Sequence, residues 1–160
     1  MSHISLLRID DRLIHGQVMT GWVKHLSATR IIIVDDELVN DEFMISVLEM
    51  AVPSHMSLNI YNVETASEVL NSVHQDGKDD KIIILVKSPI PVLKMLEKGT
   101  SFKELTVGGM GVNEHRTRLY RNLAASQAER DSFKDIEKLG LPINIQVLPN
   151  DTPTTLMQYL

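Results

Sequence analysis

Two short runs constrain the architecture more than any other feature of this chain. Ile31-Ile32-Ile33-Val34 and Ile82-Ile83-Ile84-Leu85-Val86 are unbroken aliphatic stretches with no polar alternation. Such a strand carries apolar side chains on both faces, so both faces must be covered. That is the signature of a strand inside a parallel sheet with helices on either side.

The rest of the chain supplies those helices and further strands. Ile4–Ile9, Leu58–Tyr61, Glu104–Val107 and Ile143–Leu148 read as additional strands. Gly16–Leu26 reads as a helix with Val18, Met19, Trp22, Val23 and Leu26 on one stripe. Asp41–Ala51 reads as a second, with Phe43, Met44, Val47, Leu48 and Ala51 turned to the core. Thr65–Val73 is a third. Ser88-Pro89 opens a fourth, which Gly99 ends. Ser126–Leu139 opens with a capping box, Ser126 with Glu129, and stops at Gly140. Thr117–Leu123 fits either a strand or a loop, and Pro149–Leu160 a terminal segment or short helix. The expected fold is a single α/β domain over residues 1–160. It has a mainly parallel central sheet of six or seven strands and helices on both faces.

Composition narrows the function. Aromatic residues are only 4% of the chain, so the core is built from Ile, Leu, Val and Met. The net charge of -5 argues against nucleic acid as a partner. The absence of cysteine excludes disulfides, zinc–thiolate sites and thiol nucleophiles. No apolar run approaches the roughly 20 residues that cross a bilayer. Arg8, Asp10 and Asp11 near the start do not fit a signal peptide. A cytoplasmic protein is expected, reaching a membrane only through partners.

In an open α/β sheet, ligands bind at the carboxyl edge of the strands. Here that edge should gather Asp10–His15, Asp35-Asp36, Tyr61-Asn62, Lys87-Ser88 and Gly108–Gly111. The densest chemistry is Arg8-Ile9-Asp10-Asp11-Arg12-Leu13-Ile14-His15-Gly16-Gln17-Val18, at the junction of the first strand and first helix. Neutral imidazole is a good nucleophile toward phosphorus, and a helix N-terminus disfavours the imidazolium. Arg8 and Arg12 can offer fork-shaped donors to a phosphoryl group. The N–H groups of Gly16 and Gln17 can do the same, and Gly16 allows close approach. Asp10 or Asp11 can fix the ring tautomer, which leaves the choice of ring nitrogen open. The competing explanation is that the carboxylates and Arg12 merely cap the helix.

The eleven-residue run closely resembles the segment around the phosphorylated histidine in IIB components of the mannose/fructose/sorbose family of the bacterial phosphoenolpyruvate-dependent sugar phosphotransferase system (PTS), approximately R-[IV]-D-[DE]-R-L-[IL]-H-G-Q-V. The resemblance continues through Ile33-Val34-Asp35-Asp36, Leu85-Val86-Lys87-Ser88-Pro89, Gly108-Gly109-Met110-Gly111 and Leu148-Pro149. It implies a protein-N(pi)-phosphohistidine–sugar phosphotransferase. His15 would take a phosphoryl group from a IIA phosphohistidine and pass it to a sugar at membrane IIC and IID components, which recruit the protein to the inner face of the membrane. Arg12 would clamp the phosphoryl group, with Arg8 and Asp10 in support. No metal or organic cofactor is implied, and association into a homodimer stays open.

Other candidates are weaker. Gly108 and Gly109 can cradle phosphate through backbone N–H groups, or form a tight turn at positive φ. Ser88 caps a helix and can also touch the phosphoryl group. His3, His25, His55, His74 and His115 show no metal-ligand spacing. Two other functions compete: a receiver-like signalling domain and a non-catalytic binder of a phosphorylated ligand. A receiver needs an aspartate after its third strand, where this chain has Tyr61-Asn62.

Overall fold

The computed structural model describes residues 1–160 as one α/β unit. The strands are β1 (His3–Asp10), β2 (Arg30–Val34), β3 (Ser57–Tyr61), β4 (Lys81–Val86), β5 (Leu105–Gly109), β6 (Thr117–Tyr120), β7 (Leu123–Ala125), β8 (Ile143–Ile145) and β9 (Thr154–Thr155). A π-helical stretch, Gln17–Val23, runs directly into α1 (Lys24–Leu26). The other helices are α2 (Glu42–Ala51), α3 (Val63–Asn71), α4 (Pro89–Glu97) and α5 (Gln127–Lys138).

Seven strands form the main sheet in the order β3-β2-β4-β1-β5-β8-β9. All neighbours are parallel except β9, which runs antiparallel to β8. The aliphatic runs behave as period-2 geometry requires. Ile31, Ile33, Ile83 and Leu85 face a core shared with Val18, Trp22 and Leu48. Ile32, Val34, Ile82, Ile84 and Val86 face a second core with Ala66, Val92, Phe133 and Ile136. Helices therefore cover both faces.

Thr117–Leu123 resolves in favour of the strand reading, though outside the main sheet. Its first part is β6, which pairs antiparallel with β7 as a separate two-stranded ribbon. The turn between them places Arg121 in the left-handed region at φ 47. The seventh strand of the main sheet is the short β9, which the sequence hides inside its terminal segment.

One helix face is reversed from expectation. In α2 only Leu48 is buried, while Phe43, Met44, Val47 and Met50 are exposed. The helix rests on the line Ile45–Leu48–Val52 instead, with Ile45 and Val52 partly covered. The apolar stripe opposite that line has no partner within the chain.

The sheet order positions the site. From β1 the chain leaves toward β2 over one face, through the helical stretch Gln17–Leu26. From β5 it leaves through β6, β7 and α5 over the other face. The loops after these two neighbouring strands part, and a crevice opens between them, as at the switch points of doubly wound sheets.

Candidate active site

The loop after β1 is folded back by its apolar residues. Leu13 and Ile14 are buried in the core beneath the Gln17–Leu26 helical segment. Leu13 adopts a left-handed backbone at φ 59, and its N–H closes a turn on the Asp10 carbonyl at 2.9 Å. An ordinary residue pays about 1 kcal/mol for that conformation. Burial of its side chain sustains it, and the reversal carries His15 back over Asp10.

Asp10 is the centre of the arrangement and is wholly buried. Its Oδ2 accepts from His15 Nε2 at 3.0 Å, Arg12 Nη2 at 3.3 Å and Arg8 Nη2 at 3.4 Å. Its Oδ1 accepts from the Arg12 backbone N–H and Nε, both at 3.2 Å. Burial alone would raise the Asp10 pKa. The hydrogen bonds from Arg12 and His15 outweigh it and hold the carboxyl below its usual range. Asp10 is therefore ionised at neutral pH, accepts the Nε2–H of His15, and leaves Nδ1 as the lone-pair nitrogen. Of the two aspartates the sequence offered, Asp10 is the one within hydrogen-bond distance of His15.

Arg12 is half-exposed and also donates to Gln17 Oε1 at 3.1 Å. Arg12 and Gln17 line a cleft of about 730 Å³ in the crevice. Gly109, Tyr120, Arg121, Asn122 and Asp151 form other parts of its wall. Gly16, which follows His15, faces open space on the side a Cβ would take.

Arg8 departs from the sequence reading. It is fully buried behind Asp10, not exposed as a phosphoryl donor. Its Nη1 donates to the Gln146 carbonyl at 2.7 Å and its Nη2 to the Val147 carbonyl at 3.0 Å. The Trp22 ring covers it, with the guanidinium carbon 5.2 Å from the ring centroid. Arg8 balances the Asp10 charge from below.

Gly108 and Gly109 both line the cleft. Gly108 and Gly109 end strand β5, and neither has positive φ. A Cβ on Gly108 would overlap the Arg8 guanidinium, and one on Gly109 would come within 2.9 Å of Asp10 Oδ1. Their bareness makes room for the buried charge pair. Ser88 caps α4 by accepting from the Ile90 N–H at 3.3 Å, and it is not among the residues lining the cleft.

Arg116 is the residue beside the site that sequence reasoning did not single out. It pairs bidentately with Glu129, both bonds 2.8 Å, and reaches Asp11 Oδ2 at 2.9 Å. Asp11 Oδ2 also accepts the Gly111 N–H at 2.7 Å. The β1 loop, the β5 loop and the start of α5 are thereby tied together. The available signal was Glu129, whose capping role already placed a carboxylate at the carboxyl edge. Asp35 and Asp36 cap local structure, accepting from the N–H groups of Leu38 and Val63, each at 2.8 Å. No cluster of three or more His, Asp or Glu side chains is gathered to hold a metal ion.

A family model described as the PTS system sorbose subfamily IIB component matches residues 4–160. The chain belongs to that family. The sorbose-specific EIIB component of Klebsiella pneumoniae is 33% identical over 157 residues, covering 98% of this chain and 94% of that one. The fructose-specific EIIB component of Bacillus subtilis (strain 168) is 29% identical over 160 residues, 100% and 97% of the two chains. The crystal structure of the IIBSor domain of the Klebsiella pneumoniae sorbose permease superposes with a TM-score of 0.89 at 34% identity, over 98% of this chain and 95% of that one. A IIB component of this family accepts a phosphoryl group from IIA and transfers it to sugar. That sets aside the receiver and the purely binding module, in keeping with β3 ending at Tyr61 and Asn62 serving as the cap of α3.

Proposed function

We propose that His15 is the phosphoryl carrier of this IIB component and that it reacts through Nδ1. The observation that carries the reading is the 3.0 Å contact between His15 Nε2 and the buried, ionised Asp10. It holds the proton on Nε2 and the lone pair on Nδ1.

In the first step Nδ1 attacks the phosphorus of a IIA phosphohistidine. The new P–Nδ1 bond forms as the donor's P–N bond breaks, and the donor nitrogen keeps that electron pair. In the second step a sugar hydroxyl oxygen attacks the same phosphorus, the P–Nδ1 bond breaks, and the hydroxyl proton leaves to solvent or a nearby base. Arg12 turns its guanidinium from Asp10 and Gln17 to the equatorial phosphoryl oxygens, and the N–H groups near Gly16 and Gln17 add further donors. Asp10 and Arg8 remain below as the fixed counter-charges. The protein acts in the cytoplasm, at membrane IIC and IID components that present the sugar.

Intact mass after incubation with phosphorylated IIA tests this. One acid-labile phosphoryl group on wild type and none on His15→Ala is expected. Label retained in His15→Ala would overturn the assignment. Phosphorus NMR of the adduct separates Nδ1 from Nε2.

A further inference from the structure

Phosphoryl carriage leaves the unpartnered apolar stripe of α2 unused. Phe43 is 75% exposed and Met50 86%, with Val47 and Met44 between them. Phe43, Val47 and Met50 lie on the side of the helix opposite the partly covered Ile45 and Val52, with Met44 at the border beside buried Leu48. Large apolar side chains grouped on one helix face mark a contact surface, whereas single exposed ones do not.

The surrounding charge is of one sign. From Asp35 to His55 the sequence holds Asp35, Asp36, Glu37, Asp41, Glu42 and Glu49 and no Lys or Arg. Only Asp35 and Asp36 have cationic partners, Lys87 and Lys94, and those distances are long at 3.8 and 3.9 Å. An acidic rim around an apolar stripe fits a partner that is basic around an apolar patch. A second copy of this chain would set acid against acid, and an anionic lipid surface would be repelled. The cytoplasmic loops of membrane proteins carry an excess of Lys and Arg.

Geometry joins this face to the site. α2 and the Gln17–Leu26 helical segment pack on the same side of the sheet, and both begin at its carboxyl edge. Strands β2 and β1 are separated only by β4, a span of about 10 Å. One surface can therefore engage Phe43 and Met44 while His15 faces it.

We propose that the α2 stripe, with its acidic rim, is the docking surface for the basic cytoplasmic loops of the IIC and IID membrane components. The proposal rests on the carrier reading above. The test compares wild type, Phe43→Ser/Met50→Ser and the charge reversal Glu42→Lys/Glu49→Lys. Each is assayed for phosphoryl uptake from IIA and for sugar phosphorylation with vesicles holding IIC and IID. Both variants should take label from IIA at the wild-type rate, and the concentration of protein giving half-maximal sugar phosphorylation should rise about ten-fold or more. An unchanged half-maximal concentration in both variants would overturn the proposal. So would slower uptake from IIA in folded variants, which would assign the face to the donor. A wild-type dimer in sedimentation that Phe43→Ser dissolves would assign it to a second copy. Wild-type protein that takes no label from IIA would instead bring down the carrier reading beneath it.

Discussion

His15 Nε2 and Asp10 Oδ2 lie 3.0 Å apart, and the carboxylate in that pair is wholly buried while the imidazole is in part accessible. In the proposed carrier role of His15, the contact does what an orienting carboxylate does for any histidine: it favours one tautomer and aims the free nitrogen. An asparagine at position 10 can turn its amide N–H toward Nε2 and favour the opposite tautomer. Asp10→Asn should therefore slow labelling from IIA by about a hundred-fold or more. Rapid-quench labelling checks this, with circular dichroism to confirm that the variant is folded.

Arg12 is the half-exposed charge of the site. Its present partners, Asp10 and Gln17, are both available for exchange with a phosphoryl group. Arg12→Ala should reduce the transfer rate by about ten- to a thousand-fold. Arg12→Lys should recover part of that loss, since it restores charge without the planar fork. A normal rate in Arg12→Ala would remove it from the proposed mechanism.

Gly108 and Arg8 occupy one space. Gly108→Ala should destabilise the fold by about 1–3 kcal/mol, because the added methyl meets the Arg8 guanidinium. Combining it with Arg8→Ala should cost less than the sum of the two single changes. Urea melts of the four proteins in that cycle measure the coupling.

Acid should weaken the fold through two carboxyls. Asp10 and Glu129 both titrate below their ordinary values of 3.8 and 4.5. For each, burial acts upward and is outweighed by hydrogen bonds, from Arg12 and His15 in one case and from Arg116 and Ser126 in the other. A lowered native pKa gives stability that is full above the unfolded pKa and lost as pH falls through the native one. Thermal midpoints should be flat from about pH 7 to 5 on this account and fall below about pH 4. Glu129→Gln should show a shallower fall.

Arg116→Ala should be more damaging than an exposed loop arginine would suggest. It leaves Glu129 buried without a counter-charge and removes the Arg116–Asp11 ion pair, for a loss of about 3 kcal/mol. Arg116→Lys can satisfy one carboxylate but not the bidentate pair, and should fall between. Denaturant midpoints separate the three.

Much of this was legible in the sequence because it depends on local pattern. The aliphatic runs, the Ser88-Pro89 cap and the Ser126–Glu129 box each specify an element over a few residues, and each formed as read. The histidine loop was legible because its charges are consecutive. What escaped was set by contacts between distant segments. Arg8 reads as an exposed donor until the carbonyls of Gln146 and Val147 are placed against it. Gly108 reads as a flexible turn until the neighbouring strand brings that arginine across it. The periodicity of α2 identified an apolar stripe correctly, but periodicity does not say whether the protein itself or a partner covers the stripe.

The acceptors of Arg8 have a consequence for the order in which the site is completed. Position 8 is synthesised 138 residues before its carbonyl partner at 146 and 139 before the one at 147. The Trp22 indole N–H waits for the same segment, donating to the Val147 carbonyl at 2.9 Å. A nascent chain can carry the entire histidine loop yet lack the floor beneath it. On the proposed carrier role, the buried charge pair under His15 reaches its final setting only when the segment after the last parallel strand docks.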